Sequence, residues 1–191
     1  MAKNLYIISG CNGAGKTTAS YTVLPDILDC REFVNADEIA RGLSPFNPES
    51  VAIEAGRLML SRIEELLRRN ESFSIETTLA TKSYINLVRR AQAQGYTVRL
   101  LFFWLNSPEL ALQRIAERVA KGGHNIPEPI ARRRYVAGIN NLFSLFMDEV
   151  EYWEIYDNST FPAVQVAAGG KDDETLIYVE TIYKTIANYV K

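Results

Sequence analysis

Eight residues near the N-terminus, Gly10-Cys11-Asn12-Gly13-Ala14-Gly15-Lys16-Thr17, fit the pattern G-x-x-x-x-G-K-[ST] at every fixed position. Residues of these types at this spacing bind phosphate. Backbone N–H groups of such a loop converge on phosphate oxygens, and the helix that follows adds roughly half a positive charge at its N-terminus. Gly13 and Gly15 permit positive φ and close approach. Lys16 reaches the β and γ phosphates, and Thr17 offers its hydroxyl to Mg²⁺. The run from Gly10 through Thr18 is therefore the candidate nucleotide cradle, with ATP and Mg²⁺ as candidate ligands.

A phosphate cradle alone does not separate motors, switches, transporters and kinases. A transporter-type cassette needs an acidic residue closing an apolar strand, whereas Leu100-Leu101-Phe102-Phe103-Trp104-Leu105 is followed by Asn106. A GTPase needs an Asn-Lys-x-Asp guanine reader, which the chain lacks. Asp37 follows a short apolar strand, at the end of a strand where an α/β sheet presents residues to its ligand. It could accept the proton of an attacking hydroxyl or hold Mg²⁺ through water. It could also simply cap the helix that begins at Glu38-Ile39. Glu76 and Thr78 have the same strand-end placement after Phe73-Ser74-Ile75 and suit a hydroxyl-rich substrate. Pairing to an arginine and helix capping are the structural alternatives.

Cations concentrate between Arg114 and Arg134. Arg114 and Arg118, four apart, share a helix face. Gly122-Gly123-His124-Asn125-Ile126-Pro127 makes a hinge, and Arg132-Arg133-Arg134 opens the next helix. Helix, hinge and arginine-bearing helix resemble a kinase lid over about residues 121–135, which would bring cations onto a transferring phosphate. Three successive arginines spread over about 200° of a helix. Arg118 and Arg134 are the first candidates for the phosphate, with Arg114 and Arg132 behind them and Arg133 expected to face solvent. His124, the sole histidine, reads as structural.

These residues need an alternation of strands and helices to hold them. Leu5–Ile8 reads as a buried strand feeding the loop and a helix to about Leu28. Further strands are expected at 32–35, 73–76, 96–105, 153–156 and 163–168. Helices are expected over 50–69, 83–94, from about 108 to 121, from 127 or 129 to about 147, and from Glu174 to the end. Asn106 or Ser107 should cap the helix that opens with Pro108. The alternation predicts a three-layer α/β fold with a mostly parallel sheet and helices on both faces.

The 191 residues suit one domain, with 47% apolar and 23% charged residues and a net charge of −2. No basic field points to nucleic acid. Cys11 and Cys30 are read as free thiols in a reducing cytoplasm. Neither a signal peptide nor a membrane span is expected.

The loop, Val34-Asn35-Ala36-Asp37-Glu38-Ile39-Ala40, Ile75-Glu76-Thr77-Thr78-Leu79 and the Gly122–Pro127 hinge with Arg132-Arg133-Arg134-Tyr135 occur in one order. Together they resemble the zeta toxin family of P-loop kinases over roughly residues 4–146. The resemblance implies transfer of the γ-phosphate of ATP to the sugar 3′-hydroxyl of UDP-N-acetylglucosamine; an antitoxin protein is a candidate partner. The resemblance also implies Lys16 and Thr17 at ATP·Mg²⁺, Asp37 as base, Glu76 and Thr78 on the substrate, and arginines near Arg118 and Arg134 on the phosphate. The chain carries little sequence outside that core, and no insertion obviously supplies a uridine pocket. Another sugar or an antibiotic as acceptor, or a nucleotide-dependent regulatory module acting with a protein partner, are alternative readings.

Overall fold

The computed structural model describes residues 3–123 and 125–190; His124 lies outside them. Apolar central strands, buried on both faces, and more exposed strands toward one edge build one seven-stranded sheet. Its strands are β1 (Lys3–Gly10), β2 (Phe33–Val34), β3 (Phe73–Thr77), β4 (Tyr96–Trp104), β5 (Tyr152–Asp157), β6 (Val164–Gly170) and β7 (Asp173–Ile177). The spatial order is β2-β3-β1-β4-β5-β6-β7. The first five strands run parallel, β6 is antiparallel to β5, and β7 is antiparallel to β6. Leu5, Ile7, Phe73, Ile75 and Val98 are fully buried, as expected for parallel strands covered on both faces.

Helices cover both faces. On one, the Tyr6 hydroxyl donates to the Leu28 carbonyl just beyond α1 (Lys16–Asp26). On the other, Gly138 of α6 (Glu128–Asn141) lies against Phe102. The remaining helices are α2 (Ala36–Leu43), α3 (Ala52–Arg69), α4 (Tyr84–Ala93), α5 (Pro108–Ala120) and α7 (Glu180–Ala187). A 3₁₀ turn at Pro48–Val51 leads into α3, and a π turn at Leu142–Phe146 prolongs α6 to the length expected from its sequence.

Register brings the ligand-facing ends together. Ser9 pairs with Thr77 and Gly10 with Phe103. The chain leaves β1 for β2 and β3 on one side and returns to β4 on the other. That makes β1 the switch point where α/β sheets open a crevice.

One expected element differs. A helix was expected from Glu174, but Asp173–Ile177 forms edge strand β7 and α7 begins only at Glu180. Gly169 and Gly170 let the chain turn back, so Leu176 and Ile177 pair with Ala168 and Ala167. The open hydrogen-bonding edge of β6 outweighs the modest helical propensity of so short a segment.

Candidate active site

The phosphate loop has the backbone its glycines forecast, with φ of 82° at Gly13 and 79° at Gly15. A side chain at Gly13 would collide with the Ala111 carbonyl at 2.8 Å. Gly10 belongs to β1 and has no room for a Cβ, which would lie 2.1 Å from the Phe103 oxygen. Ala14 and Lys16 are buried, whereas Thr18 points to solvent. Cys11 is a packed residue of the loop, and burial pushes its thiol up to about 11.

Glu76 is the hub of the site. Its carboxylate accepts from the Thr17 hydroxyl at 2.7 Å and the Asn35 amide at 2.9 Å, and lies 3.5 Å from the Lys16 ammonium. Lys16 Nζ also donates to the Cys11 carbonyl at 3.0 Å. Two strand ends and the loop therefore converge on a nearly dry carboxylate that does not stand alone. A buried charge persists only when paired in this way.

Asn35, a residue the sequence reading passed over, holds a second function. Its side-chain oxygen accepts from the backbone N–H groups of Asp37 at 2.8 Å and Glu38 at 3.4 Å, capping α2. Asp37 is thus not the helix cap. It sits in the first turn, where the helix dipole favours a carboxylate, and it lines the main cavity. Asn at a helix start followed by acidic residues was the signal that could have found Asn35.

Thr78 follows β3 in a distorted turn. Leu79, fully buried, adopts φ of 58°, a left-handed conformation that a bulky residue rarely takes. The Thr77 hydroxyl accepts from the Leu79 N–H, and the Asn141 amide donates to the Leu79 carbonyl. Over-determination by neighbours of this sort sustains strain beside a site.

Lys16, Asn35, Asp37, Glu76, Thr78 and Arg134 all line one cavity of about 1010 Å³. This lies at the top of the roughly 300–1,000 Å³ usual for small-molecule sites. The wall formed by α3 and α4 is mixed, with Met59, Ile63, Tyr84 and Leu87 beside Arg57, Glu64 and Arg90. Asp37 and Arg134 also border a smaller cavity of about 320 Å³ under Asn125–Ile130. Arg134 donates to Asn12 of the loop at 3.3 Å, so α6 already touches the phosphate cradle.

Arg132, Arg114 and Arg118 are placed differently from expectation. Arg132 is held by Glu109 at 2.7 Å and Glu128 at 2.8 Å, away from the cavity. Arg133 is the most exposed of the three, as expected, and borders the open mouth of the cavity beside Arg134. The buried stripe of α6 is Ala131, Tyr135, Gly138 and Ile139, which turns Arg132 toward α5 and the other two toward the site. Arg114 grips the carbonyls of Asn158 and Ser159, each at 2.9 Å. Arg118 does not line the cavity; its stem lies against Gly123.

The fold and its phosphate loop define a P-loop protein of the kinase type. The zeta toxin family profile matches residues 1–182, and the chain belongs to that family. An uncharacterized protein of Haemophilus influenzae is 33% identical over 126 residues, 66% of this chain and 88% of that one. Among solved structures, AvrRxo1-ORF1 in complex with AvrRxo1-ORF2 and sulphate ions superposes with a TM-score of 0.77 at 18% identity. That match covers 97% of this chain, which spans 63% of the matched chain of that complex. The same pair is known with ATP, at a TM-score of 0.75. A structure of the PezAT chromosomal toxin–antitoxin system of Streptococcus pneumoniae gives 0.68 at 16% identity, covering 99% of this chain and 78% of that one. At such identities these structures establish the fold. Fold and family together support a nucleotide-dependent, kinase-like phosphotransferase. No described helix is long and apolar enough to cross a membrane.

Proposed function

We propose that the chain is an ATP- and Mg²⁺-dependent kinase acting on a hydroxyl of a polar small molecule, with UDP-N-acetylglucosamine as the first acceptor to test. The observation that carries this reading is the placement of Lys16, Asp37, Glu76 and Arg134 around one cavity of about 1010 Å³, with the Thr17 hydroxyl bound to Glu76. The residues present fit the ligands. The loop supplies inward amides and a lysine for the phosphates, and the Thr17 hydroxyl and Glu76 carboxylate, 2.7 Å apart, form an oxygen-donor pair suited to Mg²⁺. ATP would supply the phosphoryl group, and Mg²⁺ would neutralise its charge. Lys16 and Arg134 hold the transferring phosphate by charge. Asp37 orients the acceptor hydroxyl and accepts its proton as the new O–P bond forms and the bond to ADP breaks. Thr78 faces the acceptor.

Glu76 changes role in this reading. Its carboxylate is committed to Thr17, Asn35 and Lys16, which favours the metal side over the acceptor side. The segment 121–135, within a single kinase domain, acts as the lid, contributing Arg134 rather than Arg132. The cavity volume and its mixed apolar and charged wall favour an acceptor much larger than a simple sugar. The chain should act in the cytoplasm on a small molecule, not on nucleic acid.

The test is incubation with γ-labelled ATP and a panel of nucleotide sugars, simple sugars and antibiotics. Label appearing on a nucleotide sugar supports the reading. Label only as inorganic phosphate across the panel, and only with a protein partner present, sinks it in favour of a regulatory module. The structural likeness to a protein of the PezAT toxin–antitoxin system makes an antitoxin the partner to try first.

A further inference from the structure

We propose that Asn158 and Arg114, neither of them in the phosphate-loop motif, are positioning residues that set the loop's peptide planes for nucleotide binding. The proposal rests on the kinase reading above. The Asn158 side-chain amide donates to the Ala14 carbonyl at 2.8 Å, across 144 residues of sequence. Ala14 is fully buried, so water cannot substitute for that donor. The peptide joining Ala14 to Gly15 is planar and trans, so its C=O and N–H point in opposite directions. Holding the oxygen outward, toward Asn158, turns the Gly15 N–H inward, where a phosphate-binding loop needs it.

Asn158 is itself held. Arg114 of α5 donates one guanidinium N–H to the Asn158 carbonyl and another to that of Ser159, both at 2.9 Å. The Asn158 N–H donates to the Trp104 carbonyl at 2.9 Å, and the Ser159 hydroxyl accepts from the Asn106 N–H at 2.8 Å. The turn after β5 is therefore fastened to the end of β4 and to α5 before it reaches the loop. The motif glycines make the approach possible. A Cβ on Gly15 would lie 2.7 Å from Asn158 Nδ2, and one on Gly13 would lie 3.3 Å from Arg114 Cβ. Gly13 and Gly15 thus make room for these two residues as well as for phosphate.

The experiment measures Mg·ADP affinity of the full chain by titration calorimetry, well below each variant's melting temperature. Asn158→Ala should weaken ADP about 5- to 20-fold, the effect of leaving one buried acceptor unpaired. Asn158→Asp, of the same shape, sets a carboxylate against the carbonyl and should be weaker still. Arg114→Lys keeps one of two donors and should fall between the wild type and Arg114→Ala, with the acceptor KM unmoved throughout. A purely structural role would lower the melting temperature and leave ADP affinity alone. Folded Asn158 and Arg114 variants that bind ADP within about twofold of the wild type overturn the proposal. Failure of the wild type itself to bind ADP overturns the kinase reading with it.

Discussion

At the scale of single residues the site is an arrangement of opposite charges kept almost dry. Lys16 and Glu76 are each under 10% exposed, and each has additional hydrogen-bond partners besides the other. Asp37 stands apart from that network, in the first turn of α2 and facing the cavity. This separation divides labour between binding and proton transfer. Asp37→Ala should lower the rate of phosphoryl transfer about 10²- to 10⁴-fold, the usual contribution of a positioned base. Nucleotide affinity should hold. Near-normal turnover in that variant on an accepted substrate would remove Asp37 from the proton's path.

Helix α6 shows how an element sets what its residues can do. Its buried stripe, Ala131, Tyr135, Gly138 and Ile139, decides which of three adjacent arginines reaches the cavity. Tyr135 anchors it by donating to the Leu105 carbonyl at 2.6 Å. Gly138 lets it come close: a Cβ there would lie 2.6 Å from the Thr78 carbonyl, which is backbone and cannot swing aside. Gly138→Ala should therefore cost about 1–3 kcal/mol by overpacking. At roughly 2–4 °C per kcal/mol for a chain of this size, melting should fall by about 2–12 °C. Because the displaced atom belongs to Thr78, the acceptor KM should rise as well. An unchanged melting temperature would show that α6 does not pack as closely as described.

For the molecule as a whole, nucleotide binding and folding are linked. The loop is held by β1, α1, α5 and the turn after β5, so a ligand seated there stabilises contacts across the sheet. At a hundred times its Kd, Mg·ADP should add about 2.7 kcal/mol to the folded state. Melting should then rise by about 5–10 °C. Lys16→Ala should abolish the rise. A wild-type melting curve indifferent to Mg·ADP would argue against a nucleotide site.

Much of this was legible in the chain itself, and the reason is local. A phosphate loop needs particular residues at fixed spacing, so the motif at Gly10–Thr17 carries its own structure, and the parallel strands declare themselves as apolar runs. Asp37, Glu76 and Thr78 were readable because strand ends in this kind of sheet face the crevice. What only the tertiary structure decided depends on partners distant in sequence. The role of Glu76 follows from where Thr17, Asn35 and Lys16 meet it. The diversion of Arg132 to Glu109 and Glu128, while Arg134 reaches the loop, follows from which face of α6 the core demands, and Arg114 is taken up by the Asn158 turn. Strand β7 exists because β6 offered an open edge. A motif spells out its own backbone, whereas a side chain's partner is set by packing across the sheet, which no local spacing encodes.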